Sequence, residues 1–269
     1  MRKASAAPYY LSSIGTLLRS VRPLGAPLRL LARREEGTPV TVSVDGTKMQ
    51  ARGFMELWSI KETLLDDFYG QHGLAVQPGW TIIDIGCASG EFVVHALQQG
   101  ASVILAVDPA AASLDLLRTN LRLNGLAESQ VIVERAAVVA TERLMHLPPS
   151  QAGLRSLHAA ASDVDADSPD AVPGKTLSTL LPSLPDSHCD LLKLDCEGAE
   201  FEIILDTPDA VFDAISRIVM EYHESSGRDV GEIAHSLRRR GYRVTVDESQ
   251  VHRGLGYLYA ARPDRRRPA

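Results

Sequence analysis

Cysteine is scarce in this chain of 269 residues. Cys87, Cys189 and Cys196 are too few, and too far from any paired spacing, to supply a disulfide framework or a zinc site. A reducing, cytoplasmic compartment is therefore expected. An excess of positive charge is missing as well: 28 Lys and Arg stand against 34 Asp and Glu, a formal net charge of -6. The chain thus has no basic footprint for a phosphate backbone, and nucleic acid is not an expected partner. Aromatic residues make up only 5%, which provides no evident stacking platform for bases. No stretch of ~18 uninterrupted apolar residues occurs, as a transmembrane helix would need. The apolar residues after Arg2 and Lys3 are broken by Ser12, Ser13, Arg19 and Arg22 before a signal-peptide core accumulates. No internal repeat is found.

What is present is a hydrophobic content of 45%, enough for a substantial core in one catalytic domain with extensions. Residues 1–36 form a basic lead-in with Arg19, Arg22, Arg29, Arg33 and Arg34 among leucines, and Pro23 and Pro27 interrupt any single long helix there. Two readings are open for it. It is a helical extension packed on its own domain, or it makes weak peripheral contact with an anionic membrane surface. Residues 40–52 alternate apolar and polar about Asp45-Gly46, which predicts a β-hairpin. Over residues 56–69, Leu57, Ile60, Leu64 and Phe68 recur at helical spacing.

After Pro78-Gly79 short apolar runs alternate with helical patterns, the signature of parallel βα units. Strands are predicted over residues 81–85, 102–107, 131–134, 190–194, 217–221, 242–246 and 256–260. The expected fold is a doubly wound, mostly parallel seven-stranded α/β sheet, with an N-terminal helical and hairpin extension over residues 1–50 and the catalytic domain over 51–269. Residues 159–174, rich in Ala, Ser, Asp and Pro, read as an exposed insertion.

Residues 81–90, TIIDIGCASG, run an apolar strand into a glycine-bearing turn and then a helix. Gly86, Cys87, Ala88, Ser89 and Gly90 bring bare backbone up to a ligand. The glycines alone also suit a nicotinamide-binding fold. Asp84 argues otherwise, because a carboxylate at the strand tip repels a pyrophosphate but matches the cationic amine and sulfonium of S-adenosylmethionine. About twenty residues on, Asp108-Pro109 closes the second strand, where an acid accepts hydrogen bonds from both ribose hydroxyls; alternatively, Asp108 is an N-cap for the helix starting near Ala111.

With these residues, the helix bearing Asn120 and Asn124, and the block DLLKLDCEGAE at 190–200, the chain resembles the FkbM family of S-adenosylmethionine-dependent methyltransferases over residues 50 to 225. The family's turn usually reads Gly-Ala-Asn-x-Gly, whereas Cys87, Ala88 and Ser89 stand in its middle here. The resemblance implies S-adenosylmethionine as cofactor, methyl transfer to a hydroxyl oxygen, and a small-molecule or glycan acceptor, the family's acceptors including sugars and polyketide macrocycles.

An alcohol acceptor has to lose a proton, so acids or a histidine at strand ends become catalytic candidates. These are Asp195, Glu197, Glu200, Glu221 and His223. Lys193 precedes Asp195 on the same side of its strand and either tunes its ionisation or forms a structural ion pair with it. Glu200 alternatively complements a helix dipole, Glu197 is alternatively a solvated turn residue, and His223 an incidental loop residue two positions beyond the strand end. Glu62 either caps the cofactor cleft or is a solvated helix residue. The spacing of His, Asp and Glu makes no evident metal site, and none is expected, although Asp195, Glu197 and Glu221 could converge around a cation. The alternatives to a methyltransferase are a nicotinamide-dependent oxidoreductase and a non-catalytic cofactor-binding module of the same fold.

Overall fold

The computed structural model describes residues 7–32, 37–146, 171–196, 198–224, 227–249 and 251–263. The N-terminal segment forms α1 (Ala7–Ser20), β1 (Val21–Arg22) and α2 (Ala26–Leu31). Pro27 stands in the first turn of α2, where its missing N–H removes no helical hydrogen bond. Leu17, Val21, Ala26 and Leu30 enter the main core, so this segment packs on the body of the protein. Leu11, Leu24, Leu28 and Leu31 remain exposed. Next come β2 (Val40–Val44) and β3 (Thr47–Ala51), joined by Asp45 and Gly46, both at positive φ as a two-residue hairpin turn demands.

Helix α3 (Phe54–Leu64) stops earlier than its apolar spacing implies. The amides of Leu65 and Asp66 both close on the Lys61 carbonyl, and Asp67 turns left-handed at φ 48°. A 3-10 segment, Phe68–Gly73, follows, and the break carries Tyr69 inside to 6% exposure.

Strands and helices then alternate: β4 (Thr81–Ile85), α4 (Glu91–Gln98), β5 (Val103–Val107), α5 (Ala111–Leu123) and β6 (Val131–Glu134). A side sheet is built from β7 (Ala137–Val138), β8 (Arg143–His146) and β9 (Ala171–Lys175), before α6 (Leu177–Leu180), β10 (Leu191–Leu194) and α7 (Glu200–Asp206). The chain continues through β11 (Arg217–His223), α8 (Val230–Arg239), β12 (Arg243–Glu248) and β13 (Leu255–Ala261). The main sheet has seven strands in the order β12-β13-β11-β10-β4-β5-β6, parallel except that β13 runs antiparallel to both neighbours.

This is the doubly wound α/β architecture anticipated above. Ile82, Ala106, Leu191 and Val219 face one core with α3, α4 and α5, while Ile83, Leu105, Leu192 and Ile218 face the other with α6, α7 and α8. Two expectations need correction. Ala171 to Gly174, assigned to the insertion, belong to β9; residues 159–170 lie outside the described residues. Pro173 is tolerated there because β7 pairs with β9 only at Gly174 and Lys175, so no ladder bond to β7 is asked of Pro173. Strand β11 also runs two residues beyond its predicted end, since His223 pairs with Leu255 of β13. The three cysteines are free, and among the described residues no helix is long and apolar enough to cross a membrane.

Candidate active site

Strand order reverses between β4 and β10, and the crevice at their carboxyl ends is where open α/β sheets bind ligands. The turn after β4 fills that crevice with backbone. Gly86, Ala88 and Gly90 have φ of 73°, 44° and 82°. The amides of Gly86 and Cys87 donate to the Val107 carbonyl, and the Ala88 amide donates to Asp108 Oδ2 at 3.0 Å. A Cβ on Gly86 would come within 1.8 Å of the Asp195 carbonyl oxygen, so this glycine lets the turn press against the end of β10. From α5, Asn120 Nδ2 donates to the Ser89 carbonyl at 2.8 Å, while its Oδ1 accepts from the Gln50 amide at 2.7 Å. One buried side chain thus ties the turn to the N-terminal hairpin.

Asp84 is not an exposed strand tip. It is 0% exposed, and parallel register sets Lys193 of β10 directly beside it, with Nζ 2.9 Å from Asp84 Oδ1. Lys193 also donates to the Gly86 carbonyl at 2.8 Å and lies 5.3 Å from the centre of the Tyr69 ring. Burial works against the Lys193 ammonium, but Asp84 and Asp195 outweigh it and hold its pKa above the ordinary value. Burial pushes the Asp84 carboxyl up, and Lys193 opposes this. The lysine's partner in the core is therefore Asp84 rather than Asp195, because residues opposite in register share a face of the sheet.

The negative charge left to a ligand comes from elsewhere. Asp108, 8% exposed, accepts from the Ala88 amide through Oδ2 and from the Ala110 amide through Oδ1 at 2.8 Å. Ala110, not Asp108, is the N-cap of α5. Pro109 is buried beside it. Glu91, in the first turn of α4, accepts from Ser59 at 2.6 Å and from Ser89 at 2.9 Å, so Ser89 is committed to Glu91. Burial raises the Glu91 carboxyl and, with Asp108, Asp84 and Glu91 adding to it, lifts the Cys87 thiol well above its usual range.

Burial pushes Asp108 up to about 6, against the bonds from Ala110 and Ala88. The folded protein therefore takes up a proton that the unfolded chain does not, and the stability this contributes is lost as pH rises through about 6. Ribose hydroxyls donate to the ionised form, so their binding has the opposite slope. Affinity for S-adenosylhomocysteine is expected to fall as pH drops through about 6. Asp108→Ala is expected to remove that dependence and to weaken binding at neutral pH by about 1.5–3 kcal/mol. Calorimetric titration across the pH range checks both; a flat wild-type profile would rule out a ribose-binding role for Asp108.

On the other side of the Gly86 turn, Asp195 follows β10, Glu221 lies on β11, and His223 ends β11, all half-buried. Leu194 pairs with Met220, so Asp195 falls opposite Glu221, and alternation sends both, with His223, to the face of Lys193. Asp195 Oδ2 accepts from the Tyr69 hydroxyl at 2.8 Å. His223 Nδ1 is 3.5 Å from Glu200 Oε1. Glu200 is 0% exposed and accepts from the amides of Cys196 and Gly198, both at 2.9 Å, which cap the turn into α7. Glu197 lies outside the described residues.

Tyr257 of β13 pairs with Glu221 and stacks on Phe68, and its hydroxyl pKa is raised by burial first, then by Glu221, Glu62 and Asp195. Glu62 is not a solvated helix residue. It accepts from Trp58 Nε1 at 2.8 Å, and burial pushes it up to about 7. Sequence reasoning passed over Tyr69, Glu91 and Tyr257. Tyr69 read as the end of a helix, and only the break at Asp67 turns it inward.

S-Adenosylmethionine fits this crevice. The turn offers bare backbone and a carboxylate at the end of β5, and the surrounding Asp108, Glu91 and Asp195 favour a cationic ligand without phosphate.

The methyltransferase FkbM domain model matches residues 84–244. The 31-O-demethyl-FK506 methyltransferase FkbM of Streptomyces tacrolimicus is 26% identical over 226 residues, covering 72% of this chain and 84% of that protein. Methyltransferase 1 of Beauveria bassiana (strain ARSEF 2860) is 27% identical over 183 residues, covering 62% of this chain and 73% of that one. Among solved structures, the methyltransferase FkbM of Methylobacillus flagellatus KT superposes with a TM-score of 0.51 at 12% identity, covering 95% of this chain and 60% of that one, a likeness of fold.

Proposed function

Because the chain belongs to the FkbM family of methyltransferases, we propose that it transfers a methyl group from S-adenosylmethionine to a hydroxyl oxygen of a small-molecule or glycan acceptor. The observation that carries this reading is the meeting of Asp195, Glu221 and His223 beside the Gly86 turn. A relative is named as the methyltransferase of 31-O-demethyl-FK506. Family membership does not favour a nicotinamide-dependent oxidoreductase.

S-Adenosylmethionine, when bound, supplies a methyl group already activated on a sulfonium. The protein's task is alignment, which is worth up to about 7–11 kcal/mol of barrier. Asp108 and Pro109 hold the adenosine end, and residues Gly86 to Gly90 let the backbone approach. Lys193 keeps the floor of the crevice neutral by cancelling Asp84. Asp195, Glu221 and His223 stand where the acceptor hydroxyl binds and loses its proton, with Glu200 beside the imidazole and Tyr69 holding Asp195.

Incubation with labelled S-adenosylmethionine and a panel of hydroxylated glycans and polyketides, with the label located by mass spectrometry, tests this function. A methyl ether is expected. Asp195→Asn is expected to lower turnover by about 10²–10⁴-fold while S-adenosylhomocysteine still binds. Label on nitrogen or carbon, or a protein that does not bind S-adenosylhomocysteine, would remove the assignment.

A further inference from the structure

We propose that Asp195, Glu221 and His223 bind a divalent cation, which holds the acceptor hydroxyl for methyl transfer. The proposal deepens the methyltransferase reading and rests on it. One ligand atom from each of the three side chains lies within 4.8 Å of the others. Ligands around a six-coordinate cation with bonds of about 2.1 Å stand about 3–4.2 Å apart, so small side-chain adjustments close the set.

Two features favour a cation over a bare proton acceptor. Asp195, Glu221 and His223 bring two carboxylates and an imidazole to one half-buried crevice, a donor set of oxygen and nitrogen that suits a divalent cation. Behind His223, the buried Glu200 carboxylate is itself fixed by two backbone amides and stands 3.5 Å from Nδ1, close enough to bias the ring's orientation. A carboxylate behind an imidazole is the arrangement that orients histidine ligands. Two carboxylates and one imidazole suit Mn²⁺ or Mg²⁺, with the imidazole admitting Zn²⁺.

In the reaction the acceptor O–H gives its proton to solvent water. The oxygen electron pair forms the new O–C bond as the S–C bond breaks, and the S–C bonding pair stays on sulfur. Methyl ether, S-adenosylhomocysteine and one proton are the products, and the cation is unchanged.

Binding is measured directly by titrating the chelator-treated protein with Mn²⁺ and following the free ion by electron paramagnetic resonance. A saturable site is expected in the wild type, competed by Mg²⁺ and abolished in the Asp195→Asn, Glu221→Gln double variant. Glu200→Gln, which leaves all three ligands in place, is expected to weaken Mn²⁺ binding by about 10–100-fold. Chelator is expected to stop methyl transfer and added Mn²⁺ to restore it. Wild-type protein that binds S-adenosylhomocysteine but holds Mn²⁺ no more tightly than the double variant would overturn the cation site and leave the methyltransferase reading standing. Mn²⁺ binding without S-adenosylhomocysteine binding would support the site and sink the methyltransferase reading.

Discussion

Lys193→Met is expected to destabilise the protein by about 3–5 kcal/mol near neutral pH, the range for breaking a buried ion pair by removing one partner. Asp84, at 0% exposure, would be left with a charge that burial disfavours and no cation within reach of Oδ1. Its way out is to take up a proton, so the variant's Asp84 pKa rises further above its unfolded value. Stability gained from that protonation is present at low pH and lost as pH rises, so the gap to wild type is expected to widen from mildly acidic to alkaline solution. Asp84→Asn in the Lys193→Met background removes the orphaned charge and is expected to recover most of the loss. Urea unfolding of the three proteins at two pH values measures all of this. Wild-type stability in Lys193→Met would show that Asp84 is compensated by something other than the lysine.

Gly86→Ala is expected to be nearly as costly, for a different reason. The residue sits at φ 73°, and its Cβ would stand 1.8 Å from the Asp195 carbonyl oxygen and 2.8 Å from the carbonyl carbon. Backbone cannot step aside as a side-chain tip can, so the turn or the end of β10 has to move. Left-handed strain and overpacking together are expected to cost on the order of 3 kcal/mol. S-Adenosylhomocysteine binding is expected to suffer too, because the displaced turn forms one wall of the crevice. Gly125→Ala is the matched control. It shares a positive φ of 65°, but a Cβ there meets nothing within 4 Å, so it reports strain alone, about 1–2 kcal/mol. If the two variants unfold at the same denaturant concentration and bind the ligand alike, the close approach at Gly86 has no consequence.

Much of the architecture was legible from local pattern. Apolar runs between turn residues marked all seven main strands to within about two residues, because a strand covered on both faces has little choice of composition. Asp45-Gly46 announced its hairpin for an equally local reason: two consecutive positive φ values suit few residues. The turn from Gly86 to Gly90 and the strand end at Asp108 were likewise readable in place, since a parallel sheet exposes the turn after each strand at one edge.

Chain pattern alone could not reveal which charges cancel. Asp84 and Lys193 are 109 residues apart and meet only because the strand order reverses beside β4; taken without that neighbour, Asp84 looked like a bait for cationic ligands. The same register puts Asp195 opposite Glu221, and pairing with β13 extends β11 to His223, within reach of Glu200. Tyr69 joined the site through one left-handed residue, Asp67, in what looked like an uninterrupted helix. Strand identity follows from a window of a few residues, whereas strand neighbours follow from the free energy of the whole sheet, and the chemistry of this crevice belongs to the neighbours.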